Sequence, residues 1–480
     1  MGTSRPPLPL LASLLVLFAG CATIRAKPGF EDVEKLASTR TSARLSWNAG
    51  TPEDEAADGT VRDILARELT AESAVQVALL QNRKLQATYA SLGIAQADLV
   101  QAGMLKNPVL TADVRFGLGM SGTGADIGVV QEFLSILQIP LRKRVAAAAF
   151  EATKFEVAAA VLELATRVKE TFYALQGAEQ MLDLRRTVVQ ADAVAADLAA
   201  RQHAAGNITD LDFANEQALY EQARVDLAEA EVSVLTRRED LTALLGLWGR
   251  ETEWKLGARL PELPGEDVKP EGLETLAVSQ RLDLAAAAQQ RVVVAENLGL
   301  TRFYGLIPEA STGVESQREV EGGVWSLGPS LSLPIPVFDQ RQATLANYQS
   351  QLAQAQERYG ALAVDIRSEV RRARLRMAAA RTRASYYKRV VLPLRSKIVE
   401  QTQREYNGML IGVFQLLQAK RDEVDAGRRY IEALTEYWVS RAELERAVGG
   451  ELRVAESAPA PSEVPAAPSG GMPEHHHHGG

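Results

Sequence analysis

The chain has 480 residues, 46% of them hydrophobic and 24% charged, so it can bury a large core and is not broadly disordered. Its net charge of −8, with no basic domain, argues against nucleic-acid binding. One cysteine and five histidines, four of them at His475 to His478, exclude an intrachain disulfide and a thiolate metal site and leave few groups for catalysis.

The N-terminus has the layout of a secretory signal. Arg5 precedes an apolar run at 8–20, which is too short to span a bilayer comfortably. The only cysteine, Cys21, follows Ala19-Gly20 directly, an arrangement that resembles a bacterial lipoprotein signal. The resemblance implies cleavage before Cys21 and its lipidation, and Ala22 at the next position favours the outer membrane. The alternative is an ordinary signal peptide with an incidental cysteine.

The next segments predict a linker, a helix and two strands. Residues 26–67 are polar and predict an extended linker or wrapping arm. A helix is expected from about Thr70 to about Lys106, where an Asn-Pro pair stops it. Apolar and polar residues alternate over 110–118, which predicts a strand, and 125–136 predicts a second strand after a glycine-rich turn.

A very long helix follows, over 140–206, opening after a proline. Apolar residues recur every seventh position at Val161, Val168, Leu175, Leu182 and Val189, the pattern of a helix with one seam against a neighbour. At 1.5 Å per residue such a helix is roughly 100 Å long. It must therefore lie in a coiled coil or an extended bundle with a left-handed supercoil.

A turn at Gly206 and a return helix over 210–245 complete this unit, which then recurs about 200 residues later. Residues 277–284 echo 78–85, and Gly408 corresponds to Gly206. The second unit predicts strands over 309–318 and 324–333, a long helix over 345–394 that Pro393 is expected to kink or break, and a return helix over 410–438. The fold class is thus mainly α, built from a duplicated unit of helix, strand, strand, very long helix, turn and long helix.

The four predicted strands are too few to form a membrane barrel within one chain, so they indicate an assembly of several chains. About eight strands are the minimum for a membrane barrel, and an open apolar sheet in lipid would leave its edge hydrogen bonds unsatisfied. Three chains would supply twelve strands and close the edges, and their helices could line a tube. The alternative is a small soluble sheet packed against the coiled coil.

Six segments together resemble the TolC-type outer-membrane efflux proteins over roughly residues 69–449. They are AQADLVQAG at 95–103, NP at 107–108, AGNITDLD at 205–212, LLGL at 244–247, LSLPIPVF at 331–338 and YNG at 406–408. The resemblance implies a homotrimer with an α-helical tunnel in the periplasm and a twelve-stranded transmembrane β-barrel, four strands per chain. It implies an exit duct for efflux or type I secretion, joined by a periplasmic adaptor to an inner-membrane transporter, without a cofactor. The lipoprotein signal is most like the branch that includes heavy-metal and drug efflux ducts.

This interpretation divides the chain into six parts. They are a lipoprotein signal peptide at 1–20, an N-terminal linker or arm at 21–68, a first efflux repeat at 69–247, a connector at 248–271, a second repeat at 272–450 and a disordered tail at 451–480.

Two candidate sites lie where the long helices reverse, and each reversal carries a glycine, Gly206 or Gly408, that is expected to supply a left-handed cap. Exposed apolar groups at these tips predict an adaptor-docking surface. The docking residues are Gly206, Ile208, Leu211, Gly408, Leu410 and Ile411. By resemblance, the same turns hold the gate. We expect Asp212 to be its acidic residue in the first copy, with Phe414 and Leu417 at the matching positions in the second, and a more apolar constriction at Tyr406 and Phe414.

Other interpretations are weaker. A periplasmic coiled-coil adaptor or scaffold lipoprotein without a barrel would need an inserted lipoyl-like or barrel domain, which does not interrupt 140–245. An enzyme lacks catalytic groups. The terminal histidines fit a cloning remnant or idle tail better than a metal site. The basic run of the second long helix fits a solvated face paired with acids better than a cationic ring in the tunnel. Its members are Arg371, Arg372, Arg374, Arg376, Arg381 and Arg383.

Overall fold

The computed structural model describes residues 26–48, 50, 52–116, 123–132, 135–257, 259–265, 271–306, 311–318 and 325–452. Cys21 and His475 to His478 lie outside these ranges. The elements up to the end of the first repeat are α1 (Phe30–Ser38), α2 (Pro52–Leu65), β1 (Glu68–Leu69), α3 (Ala71–Gln81), α4 (Arg83–Ala102), β2 (Val109–Phe116), β3 (Thr123–Gln131), α5 (Ser135–Ala204) and α6 (Asp210–Leu245). Those that follow are β4 (Lys255–Leu256), α7 (Leu273–Gln280), α8 (Leu282–Leu306), β5 (Ser311–Arg318), β6 (Trp325–Ser332), α9 (Gln342–Tyr386), α10 (Leu392–Asn407) and α11 (Val413–Val448).

The same order of helices and strands therefore occurs twice, and the duplicated unit expected from the sequence is confirmed. In each copy two consecutive helices precede the strand pair, where the sequence had predicted one helix. Thr70 caps α3 by accepting a hydrogen bond from the Ser73 amide, and Asn82 ends α3 and caps α4 through the Leu85 amide. The break exists because Asn82 Nδ2 also donates to the carbonyl of Leu244 at 2.8 Å, at the end of α6.

The sequence predicted an extended linker or a wrapping arm at 26–67, and the structure shows that this segment is not extended. This segment contains α1 and α2, and Val33 and Val61 are fully buried. The Phe30 ring meets Tyr89 of α4 edge-on, with centroids 5.2 Å apart, and Trp47 lies 6.0 Å from Phe30. The segment is polar on average, but its few large apolar residues are spaced to reach the core formed by α3, α4 and α5.

Four strands form an antiparallel sheet in the order β2-β3-β5-β6, and the short β1 and β4 pair in parallel as a separate two-stranded sheet. The register aligns Leu110, Val129 and Val314 in one row and Ile127 with Leu327 in the row beside it, all on one face. The opposite face carries polar or small residues apart from the paired Val109 and Val130. Within the described residues β2 and β6 are the sheet's edges. The second strand ends at Gln131 and not near Ile136, because Ser135 already begins α5.

Helix α5 is 70 residues long and begins five residues before Pro140, which lies inside it. The predicted seam is present, since Val161, Val168, Leu175 and Leu182 are all buried. In the second copy the long helix is interrupted by a π-helical turn at Tyr387–Val391, two residues before Pro393. The interruption expected near that proline is thus a locally widened turn just before it.

Away from the sheet the long helices pack side by side. Helix α6 packs on α5, α5 on α11, and α11 on α9 and α10. None of the helices in the described ranges is both long and hydrophobic enough to cross a bilayer.

Candidate docking and gating site

The first helix reversal is closed by backbone hydrogen bonds around Gly206. This glycine has φ +73°, a left-handed conformation that costs other residues more. The Gly206 amide donates to the carbonyl of His203 at 2.9 Å, and the Asn207 amide donates to that of Gln202 at 2.8 Å. This pair of bonds is a Schellman cap and ends α5 as the sequence predicts.

Polar side chains then start the return helix. Thr209 caps α6, and its hydroxyl accepts from the Asp212 amide at 3.1 Å and donates to the Asp212 carboxylate at 2.8 Å. The His203 ring stacks on Phe213 at 4.9 Å, and its Nε2 lies 2.6 Å from Asp210 Oδ1. Asp212, predicted as the acidic gate residue, is therefore engaged in the helix cap, while Asp210 contacts the internal histidine.

The second reversal uses a different residue from the one predicted. Gly408 has φ −80°, and the left-handed position belongs to Met409, with φ +58°. The Met409 amide donates to the carbonyl of Tyr406 at 2.9 Å, and the Leu410 amide to that of Glu405 at 3.0 Å. The expectation that Gly408 supplies a left-handed cap was wrong, because the helix continues one residue further than the glycine suggests.

This shift moves the correspondence between the copies by one residue. Gly206 is equivalent to Met409, so Thr209 corresponds to Gly412 and Asp212 to Gln415. The Gln415 side chain accepts from the Gly412 amide at 2.8 Å, which is the capping role that Asp212 has in the first copy. Phe414 and Leu417, which sequence comparison had matched with Asp212, are therefore not its counterparts.

The tips expose part of their predicted apolar set. Leu211 is 69% exposed, Leu410 76% and Met409 93%. Ile208, Ile411 and Phe414 are half-buried and contribute to packing, while Gly206 and Gly408 are exposed. Tyr406 is 38% exposed on the last turn of α10. The structure places these residues at the two helix reversals, both at the end of the helices remote from the sheet.

Above the tips a charged cluster joins the two copies, and the sequence analysis did not find it. Arg421 of α11 contacts Glu216 of α6, with Nη2 2.6 Å from Oε2, and its Nε lies 3.5 Å from Oδ1 of Asp192 on α5. Burial raises the pKa of Asp192 even though Arg421 opposes this shift. Burial alone would lower the pKa of Arg421, but its bonds with Glu216 and the charges of both carboxylates raise it. Charged residues 205 or more positions apart carry no local signal of pairing.

Three members of the basic run on α9, Arg371, Arg376 and Arg383, pair with acids, as the simpler interpretation predicts. Arg371 contacts Glu274 at 2.8 Å and Arg376 contacts Glu443 at 3.4 Å. Arg381 donates to the main-chain carbonyls of Pro264 and Gly265 in the connector. Across the ranges that the structure describes, no group of three or more His, Cys, Asp or Glu side chains is placed to hold a metal ion.

The sequence matches known proteins over most of its length. The profile of the family described as "Outer membrane efflux protein" matches residues 74–247 and again 274–450. The cobalt-zinc-cadmium resistance protein CzcC of Cupriavidus metallidurans is 25% identical over 397 residues, which cover 79% of this chain and 90% of CzcC. The outer membrane protein OprJ of Pseudomonas aeruginosa is 24% identical over 310 residues, covering 61% of this chain and 62% of OprJ.

Solved structures share the fold. A structure of CusC, described as forming a transmembrane channel, has a TM-score of 0.66 at 18% identity, covering 80% of this chain and 92% of CusC. The open state of the MtrE outer membrane channel of Neisseria gonorrhoeae has a TM-score of 0.65 at 18% identity, covering 80% and 89%. The mainly helical fold with a small sheet, expected from the TolC-type resemblance, is that of these channels. The chain therefore belongs to the outer membrane efflux protein family, and it is an efflux channel of the outer membrane and not an enzyme.

Proposed function

We propose that the chain is the passive, homotrimeric exit duct of a tripartite efflux system, which receives substrate from a periplasmic adaptor and an inner-membrane transporter. The observation that carries the proposal is the placement of the sheet and the two reversals at opposite ends of the long helices. Helix α5 alone separates them by roughly 100 Å at 1.5 Å per residue. A sheet in the outer membrane would thus put both tips deep in the periplasm.

The sheet supports insertion as part of a trimer. Its apolar face exposes Leu110, Leu327 and Leu331 to 69%, 76% and 72%. Its edge strands β2 and β6 carry hydrogen-bonding groups that lipid cannot satisfy. Three copies would pair β6 of one chain with β2 of the next and close a twelve-stranded barrel.

The cargo we propose is a metal ion or another small toxic compound. CzcC, which is named for resistance to cobalt, zinc and cadmium, supports divalent cations as the first class to test. A passive duct needs no binding site for its cargo, so metal selectivity would belong to the pump and adaptor.

A lipid on Cys21 is compatible with this placement. Gly29 lies against Phe150, 15 residues into α5 and therefore about 22 Å from the start of the helix. The eight residues from Gly29 back to Cys21 can span up to about 27 Å. A lipid on Cys21 could thus reach the membrane level at which the sheet begins. Cys21→Ala is expected to leave precursor or inefficiently processed protein, which intact-mass measurement would reveal.

The tips are the proposed adaptor contact and gate. Leu211, Met409 and Leu410 are the exposed apolar groups there, so charged replacements at Leu211 and Leu410 should abolish efflux without affecting trimer formation. We also expect an apolar constriction at Tyr406 and Phe414, with weak block by multivalent cations. Strong cation block that Asp212→Ala removes would instead assign the gate to an acidic ring.

The decisive experiment combines mass and conductance. The detergent-extracted protein should have the mass of a trimer and conduct ions in planar bilayers. A soluble monomer without conductance would overturn the duct and favour a periplasmic scaffold. Crosslinking from cysteines introduced at Leu211 and Leu410 would then test the tips, because a normally exporting charged variant with no crosslinked adaptor contradicts docking there.

A further inference from the structure

The segments that join the sheet to the helices carry a net positive charge, whereas the whole chain is negatively charged. Positions 103–108, 131–146, 301–310 and 333–344 connect the strands to the helices, and they contain six basic and three acidic residues. The complete chain has a net charge of −8. The basic residues of the junction are Lys106, Arg142, Lys143, Arg144, Arg302 and Arg341.

In the first turns of α5, exposed apolar residues are followed by basic residues on the same face of the helix. Ile136 and Leu137 are 45% and 53% exposed in the first turn. Lys143 and Arg144 follow each of them by seven residues, so they share the same helix face about 10 Å further from the sheet. Both basic side chains are exposed, and neither has an acidic partner among the described residues.

The direction of α5 orients these side chains toward the sheet. Helical side chains tilt toward the N-terminus of their helix, and here the N-terminus meets the strands. The stem of Lys143 passes over Gly103, where a β-carbon would lie 3.3 Å from Lys143 Cδ. The apolar stem thus covers the loop after α4 and the ammonium group can extend toward the membrane level.

We propose that this rim, formed by Ile136, Leu137, Lys143 and Arg144, binds the phosphate of anionic phospholipid headgroups in the inner leaflet of the outer membrane. The headgroup layer is about 5–8 Å thick on each side of the hydrocarbon. The basic residues lie about 10 Å along the helix from the apolar ones, and the tilt of their side chains back toward the sheet brings the charged groups closer to this depth. The strands, with exposed apolar residues such as Leu110, Leu327 and Leu331, lie beyond the apolar end of the rim, which argues for a lipid occupant and against a protein. This inference rests on the membrane insertion proposed above.

The test uses the full-length protein in detergent. Phosphatidylglycerol, phosphatidylcholine or inorganic phosphate is added, and bound lipid is counted by native mass spectrometry beside the thermal midpoint. Phosphatidylglycerol should bind and raise the midpoint more than phosphatidylcholine. Inorganic phosphate should have no effect. The K143Q/R144Q variant should bind phosphatidylglycerol about tenfold more weakly, because each basic group near an anionic surface contributes to attraction.

The matched control is R186Q/R201Q, which removes two exposed arginines from the same helix far from the sheet. It should bind lipid like the wild type. Equal stabilisation by phosphatidylcholine or by inorganic phosphate, or an equal loss in the control, would overturn the headgroup site.

Flotation with liposomes distinguishes failure of the headgroup site from failure of the proposed membrane insertion. Protein that floats without lipid selectivity refutes only the rim, whereas protein that does not float refutes membrane insertion itself.

Discussion

The two repeats have the same order of elements but differ in how firmly their hairpins are held. In the first, α5 is one continuous helix that buries residues along most of its length. In the second, the equivalent helix begins at Gln342, directly after Arg341 with φ +62°, and is interrupted by the turn at Tyr387–Val391. The segment after that turn, α10, buries no residue and packs mainly against α11. The two repeats therefore share their topology. In the first hairpin α5 buries residues along most of its length, whereas the second hairpin is less firmly packed after its π-helical turn.

The reversals and helix ends show the same divergence. A glycine takes the left-handed position in the first tip and Met409 takes it in the second, at a cost that glycine avoids. Near the other end, Asn82 binds the last carbonyls of α6, and Arg281 does this for α11, with additional contacts to Asp283 and Glu369. The same structural role is therefore filled by unrelated side chains, and local motif comparison underestimates the duplication.

The largest effect is expected at the charged cluster that ties the second hairpin to the first. Arg421→Ala leaves the carboxylates of Glu216 and Asp192 without their cation. We expect it to lower the free energy of unfolding by about 2–3 kcal/mol, less than for a fully buried pair because Arg421 is 23% exposed. Thermal unfolding in detergent measures the loss.

Arg428→Ala is the control for that variant, since among the residues that the structure describes Arg428 forms ion pairs only within α11, with Asp425 and Glu432. It should cost about 0.5 kcal/mol or less. Equal losses for the two variants would mean that Arg421 does not join the repeats more strongly than a surface ion pair does.

The second effect concerns close packing between the repeats at Gly177. A β-carbon there would lie 2.2 Å from Thr435 Oγ1 and 3.0 Å from Thr435 Cβ of α11. Gly177→Ala should therefore destabilise the protein by about 1–3 kcal/mol through overpacking, and adding Thr435→Ala should recover part of the loss. Thermal midpoints of the single and double variants measure both effects.

Gly360 of α9 provides the contrasting position in the second repeat, because nothing lies within 4 Å of its added β-carbon. Gly360→Ala should stabilise by about 0.5–1 kcal/mol, since alanine restricts the unfolded chain and favours helix. A loss at Gly360 as large as at Gly177 would contradict the packing difference between the two helices.

Many of the helices and strands of the two repeats could be predicted from the sequence, because they depend on the periodicity of apolar residues. The seven-residue spacing from Val161 to Leu182 identifies α5 without any tertiary information, and period-two alternation identifies β2. The break at Asn82 could not be predicted, because it depends on a carbonyl 162 residues away. The Arg421 cluster could not be predicted either, because its partners are also distant in the sequence.

The prediction for the second helix reversal was wrong for a different reason. Glycine is the usual left-handed residue, so Gly408 was the natural choice over Met409. Only the backbone hydrogen bonds, from Met409 to Tyr406 and from Leu410 to Glu405, locate the cap one residue later. The polar arm was misjudged because average composition hides a few well-spaced residues such as Phe30 and Val33.

The third prediction uses the strained residue of the second tip. Met409→Gly removes the left-handed penalty and should stabilise that reversal by about 1 kcal/mol, whereas Gly206→Ala should introduce a similar penalty in the first. Hydrogen exchange of the amides at Leu410 and Asn207 reports each cap separately. Faster exchange at Leu410 in the glycine variant would show that the Met409 side chain stabilises the tip by contacts that outweigh its strain.

The smallest effect is a pH dependence at the α5–α11 seam. Burial and the neighbouring charge of Glu443 raise the pKa of Glu170 to about 7, against the opposing charges of Arg446 and Arg167. Because the folded-state pKa is higher than the unfolded value of 4.5, the folded protein holds this proton more tightly. Glu170 therefore costs no stability below about pH 4.5, becomes progressively destabilising as pH rises, and has its full effect above about pH 7. After allowance for solvent screening we expect Glu170→Gln to stabilise by about 1 kcal/mol at pH 8 and by almost nothing at pH 4. Glu221→Gln, an exposed change on α6, should shift both midpoints alike. A Glu170→Gln gain that is equal at the two pH values would show that the carboxylate's charge is not what strains the seam between the repeats.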